Sequence, residues 1–217
     1  MTDPKIKYKE ILSKYIPELA VDTMADWILH FNFNLKITEN RTSKLGDYRH
    51  PFRGERHIIT INHNLNHYSF LITLVHEIAH LTTWNKHKNA VKPHGDEWKN
   101  EFKVLMQYFL KTEIFPNDVL FALKSYMFNP AAASCTDDKL MRVLRKYDSP
   151  KIKTVHVEEL PIHSIFKMKN ERYFVKGEKI RKRYKCKEIK TNLIYLFSPL
   201  AEVFPVTPAL FPDEIDK

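Results

Sequence analysis

Leu71, Leu74, Val75, Ile78 and Leu81 recur at the i, i+3, i+4, i+7 spacing of a helix with one buried stripe. No Gly or Pro interrupts the segment from Tyr68 to His87, so a single long helix is expected there. A second stripe, Trp98, Phe102, Leu105, Met106 and Phe109, predicts a helix over "GDEWKNEFKVLMQYFL". Upstream, residues 4 to 16 and 20 to 33 read as helices, the latter with Met24, Trp27, Ile28 and Phe31 at helical spacing. "NLKITENR" and "HIITINHN" alternate as strands, separated by the turn-rich "LGDYRHPFRG". Downstream, "PNDVLFALKSYMF" and "DDKLMRVLRKYD" are helical, with Pro116 near the start of the first and Thr136 as N-cap of the second.

The pattern changes at "SPK", residues 149 to 151. Beyond it "SIFKM", "RYFVK", "IRKRYKCKEI" and "LIYLF" read as short strands, with "KNE", "KGE" and "KTN" as turns. The expected organisation is α+β: a domain over 1–149, a small antiparallel β subdomain over 150–206, and a mobile tail over 207–217.

The first long helix also carries chemistry. In "LVHEIAH", His76 and His80 stand one turn apart, so both imidazoles can face one metal ion. Glu77 lies roughly 100° around the axis from His76, within reach of a water on that metal. A carboxylate in so apolar a segment is costly without a task. His94, flanked by Pro93 and Gly95 at the start of the second helix, would complete a three-histidine set and leave a fourth position open, the catalytic pattern for zinc. His87 and Glu97 compete for that third place; ligand geometry favours His94. Zinc, one ion per chain, would act as Lewis acid with Glu77 as general base. Tyr48, Arg49 and His87 are candidates for stabilising an oxyanion, and the segment Gly46 to Arg49 for docking an extended substrate.

"LVHEIAHLTTW" followed by "HGDEW" resembles the SprT-like zinc metallopeptidase family, whose pattern is H-E-x-x-H and then H-G-x-x-F/W. The resemblance extends to "LGDYRHPFRGERHIITINHNLN" and "FNPAAASCTDDKLMRVLRKYD", and so to most of the chain. It implies a zincin-like fold, His76, His80 and His94 as zinc ligands, and Glu77 as catalytic base. It implies hydrolysis of protein substrates, among relatives including proteins crosslinked to DNA. Many relatives end in a four-cysteine zinc ribbon; this chain has only Cys135 and Cys186, so it resembles a bacterial branch without one.

Bulk composition narrows the class further. A hydrophobic fraction of 43% with 12% aromatics marks a folded protein. Two cysteines far apart in sequence, with no apolar run at the N-terminus, point to a cytoplasmic protein that does not enter a membrane. The net charge of +9 suggests polyanionic partners. Between Lys167 and Lys190 eleven Lys or Arg stand against three Glu, a surplus of eight. On a strand "IRKRYKCKEI", Arg181, Arg183, Lys185 and Lys187 would share one face. That row suits DNA bound without sequence preference, or charge guarding an edge strand.

Overall fold

The computed structural model describes residues 3–41, 44–111, 113–130, 137–149 and 154–206. Two compact units emerge, Met1–Ser149 and Pro150–Lys217. The expected mobile tail, 207–217, lies outside the described residues, as does Thr136.

The first unit is mixed α+β. Its elements run α1 (Pro4–Leu12), α2 (Glu18–His30), β1 (Phe33–Thr38), β2 (Gly46–Arg49), β3 (His57–Asn62), α3 (His67–His87), α4 (Asp96–Leu110), α5 (Asn117–Tyr126) and α6 (Asp138–Arg145). The strands form a three-stranded sheet in the order β1-β3-β2, with β1 parallel and β2 antiparallel to β3. β2 lies inside the segment expected to be turn. Gly46 and Asp47 are poor strand formers, and the four residues take their extended form from the ladder to Ile58–Ile61.

α3 differs from the amphipathic expectation in a way that matters. Every residue from Ser69 to Ala79 is buried, so the helix has no solvent face there and forms the centre of the unit. Its core neighbours include Trp98, Phe102 and Met106 of α4 and Ile59 and Ile61 of β3. Asn66 fixes its start: the side chain accepts from Ser69 N–H at 2.9 Å and donates to the Leu144 carbonyl at 2.9 Å, tying α3 to the end of α6. α6 itself is capped by Asp137, which accepts from Lys139 and Leu140 N–H, so the cap is at Asp137 rather than Thr136.

The second unit is a six-stranded antiparallel sheet, β4-β9-β5-β6-β7-β8, of β4 (Val155–His156), β5 (Ile165–Lys167), β6 (Tyr173–Ile180), β7 (Arg183–Glu188), β8 (Ile194–Phe197) and β9 (Glu202–Val206). Val157, Phe166, Phe174, Cys186 and Val203 are its core. Two sequence expectations are corrected here. "KGE" is not a turn: Gly177 sits at an irregularity between Lys176 and Lys179 within β6, where an added Cβ would meet the Lys185 carbonyl at 2.5 Å. The turn falls instead at Arg181 and Lys182, between paired Ile180 and Arg183, with Arg181 at φ 53°. Arg181 is therefore at a hairpin tip, off the strand face that carries Arg183, Lys185 and Lys187.

Candidate metal centre

The buried position of α3 sets the geometry. His76 and His80 leave one side of the helix, and His94 meets them from the loop before α4. His94 Nε2 lies 2.8 Å from His80 Nε2 and 3.2 Å from His76 Nε2. The three ligand atoms all lie within 4.8 Å of one another, and the cluster could hold a metal ion. Tetrahedral zinc with Zn–N of about 2.0–2.1 Å places ligand nitrogens about 3.3 Å apart, so the spacing fits.

Charge state fits as well. Burial first, then the neighbouring imidazoles, pull the pKa of His76 down to about 2 and that of His80 down to about 3. Burial lowers His94 too. All three are neutral at pH 7, the form that donates a lone pair to a cation. Metal-bound histidines usually donate their second ring nitrogen to an oxygen. His76 Nδ1 is buried without a partner; its ring is held by packing, with Trp98 at 4.5 Å and Phe102 at 5.8 Å between centroids.

Trp98 is the floor of the cluster. Its ring centroid is 4.5 Å from His76, 5.3 Å from His80 and 4.7 Å from His94. Periodicity marks it as core, but contact with all three imidazoles is a tertiary fact. His94 arrives through a tight turn: Gly95 N–H donates to the Lys92 carbonyl at 2.9 Å, with Pro93 and then His94 between them. His94 has φ 59°, a region that favours Gly or Asn at the third position of such a turn. A histidine there is locally strained.

Glu77 is 5% exposed. Burial, and secondarily the charge of Asp47, push its pKa up to about 8, against the opposing Arg41 and Lys44. Asp47 is itself paired to Lys44 at 2.7 Å and Arg49 at 3.2 Å. Gly46 explains how β2 lies so close to the carboxylate. A Cβ on Gly46 would stand 2.5 Å from Glu77 Oε1 and 2.8 Å from Thr73 Cγ2.

Of the three candidates for an oxyanion donor, Tyr48 comes to the cluster. Its ring stacks parallel to His80, 6.3 Å between centroids at 6°, and its hydroxyl is 2.9 Å from His57 Nδ1. Burial raises its pKa, keeping the phenol protonated. Arg49 is exposed and bound to Asp47. His87, the last residue of α3, and Glu97, in the first turn of α4, are outside the ligand cluster. Nothing in the sequence but the alternation of its strand marks His57, which the fold brings to Tyr48.

In the second unit, Arg183, Lys185 and Lys187 are exposed on one face of β7, while Tyr184, Cys186 and Glu188 point inward. Lys167 pairs with Glu171 and Arg172 with Glu188, and Lys176 is buried against the Glu158 and Leu160 carbonyls. Eight exposed cations then remain between Lys169 and Lys190, with Glu178 as the only other carboxylate in that stretch. Among the described residues no helix is long and apolar enough to cross a membrane. The chain matches no protein-family model, no curated protein and no solved structure.

Proposed function

We propose that this chain is a zinc-dependent metallopeptidase of SprT-like type, with a zincin-like first unit, that hydrolyses peptide bonds in protein substrates. The observation that carries it is a buried carboxylate, Glu77, one residue from a cluster of three neutral imidazoles. His76, His80 and His94 would hold the ion. Zinc, when bound, supplies Lewis acidity that eases loss of a proton from water and polarises a carbonyl. Glu77 takes the proton from the attacking water at a carboxylate oxygen and returns it to the departing amine. Burial raises its proton affinity, and a cation held by the adjacent imidazoles would favour the ionised form that accepts the proton. Trp98 keeps solvent from beneath the imidazoles. Tyr48 contributes a protonated phenol whose ring lies on His80 and whose hydroxyl would have to turn from His57 Nδ1 to meet a developing oxyanion.

Substrate would add along β2, one of the two edge strands of the sheet and the one beside Glu77 and His80. Its alternate residues step along α3, Gly46 at Glu77 and Tyr48 at His80. The direct test is cleavage of a denatured protein substrate after chelation and after return of zinc. Wild type should lose and regain activity, and His94→Ala should stay inactive at the same zinc level. Cleavage that survives chelation would overturn the reading.

The surplus of exposed cations in the second unit supports a further partner, DNA bound without sequence preference through Arg183, Lys185 and Lys187, with Arg181 at the adjoining hairpin tip. Under that reading the substrates are proteins associated with DNA or crosslinked to it. A DNA-associated binding protein that does not cleave is the competing reading, and an ionisable carboxylate beside the histidines weighs against it.

A further inference from the structure

The metal-facing side of α3 continues past His80. Trp84 follows four residues on, and Lys88, the C-cap at φ 52°, lays its Nζ 3.8 Å over the Trp84 ring. The opposite wall comes from the sheet. His50, just after β2, stacks on Trp84 at 5.5 Å and 2°, and His57 meets the same ring edge-on at 5.3 Å. The hydrogen bond between the Tyr48 hydroxyl and His57 Nδ1 joins this wall to the ring lying on His80. The result is a nook of stacked rings with an ammonium at its mouth, one helical turn from a candidate metal ligand.

The segments that build the nook carry far more cations than carboxylates. From Tyr48 to His57 and from Trp84 to Gly95 the only carboxylate is Glu55. Arg49 is spent on Asp47 and Lys86 on Glu101. Among the described residues Arg53, Arg56, Lys88 and Lys92 are exposed and have no acidic partner. His57 registers the field: burial, then the charge of Lys88 and less so of His50, lower its pKa against an opposing hydrogen bond to Asn85.

We propose that this nook, on the reading of the site as a peptidase, is a substrate subsite for an acidic side chain. Trp84 is about 6 Å along the helix from His80, and an extended peptide advances about 3.3 Å per residue. The Asp or Glu would therefore stand about two positions from the scissile bond, on the side toward Trp84. Its methylenes would lie on the rings and its carboxylate would meet Lys88.

The test separates binding from cleavage. Full-length Glu77→Gln protein, loaded with zinc, is titrated with fluorescent peptides identical except for Glu, Gln or Lys at each position flanking the cleavage site. Binding should be about three- to tenfold tighter for Glu than for Gln at one position. Lys88→Gln should erase that preference, and Lys88→Glu should turn it toward Lys, with metal content and melting temperature unchanged. Equal affinity for Glu and Gln everywhere, no binding of any peptide, or a preference that survives Lys88→Glu would overturn the proposal. An oligonucleotide that binds and is weakened by Lys88→Glu, with peptides showing no acid preference, would overturn it too and assign the nook to phosphate. Cleavage by wild type is scored separately: its absence removes the peptidase reading, whereas cleavage without acid preference removes only the subsite.

Discussion

His94 stands where a turn prefers Gly or Asn, so its side chain and its backbone make opposite demands. His94→Ala and His94→Asn should both lose the metal, whereas His87→Ala should retain it, as read by metal analysis after gel filtration. With chelator present, His94→Asn should be more stable than His94→Ala by about 0.5–1 kcal/mol in urea denaturation, because Asn tolerates φ 59° better. Equal metal loss in His87→Ala would overturn the assignment of the third ligand. Glu77 gives a pH signature in the chelated protein. Its folded pKa of about 8 lies above the unfolded value of 4.5, so its share of stability is full below pH 4.5 and is lost as pH rises toward 8. Glu77→Gln should therefore gain on wild type across that window, by on the order of a few kcal/mol at pH 8. A difference that stays flat with pH would mean that Glu77 ionises freely. The identities of these residues are visible in "HEIAH" and "PHG". The backbone angle of His94 and the desolvation of Glu77 are not, since both depend on what α4 and β2 pack against them.

At the scale of elements, the contact between β2 and α3 positions the carboxylate of Glu77. Gly46→Ala places a methyl against Glu77 Oε1 and Thr73 Cγ2, so either the strand or the carboxylate must shift. The expected cost is about 1–3 kcal/mol, read as a lower denaturation midpoint, with cleavage falling further than stability accounts for. A variant as stable as wild type would show that β2 does not press on the helix. α3 and α4 were legible because their apolar periods run over many residues. β2 was not: "GDYR" carries no strand period, and only pairing with Ile58–Ile61, brought next to it by the chain between, makes it extended. The hairpin at Arg181 and Lys182 is hard to read for a related reason, since neither residue is a turn former and Gly177 is the stronger turn signal.

For the whole molecule, charge is the property that sequence and structure share most directly. The surplus of cations from Lys167 to Lys190 could be counted, but which ones survive pairing required the partners of Glu171 and Glu188. Affinity for duplex DNA should fall as salt rises. A variant with Gln at Arg181, Arg183, Lys185 and Lys187 should bind more weakly with a shallower slope. No binding at low salt, or an unchanged slope in the variant, would remove DNA as the partner of this face. The contrast in chemistry between the units is plain: neutral imidazoles and a buried carboxylate in the first, and a row of exposed cations in the second.

The account rests on Glu77 working beside a metal it does not hold. The measurement that tests this most directly is zinc content and protein cleavage, taken together, for wild type and Glu77→Gln. The account predicts about one zinc per chain in both proteins and cleavage in wild type alone. A Glu77→Gln protein that cleaves as fast as wild type, or a wild type that carries no metal when purified without chelator, would contradict it.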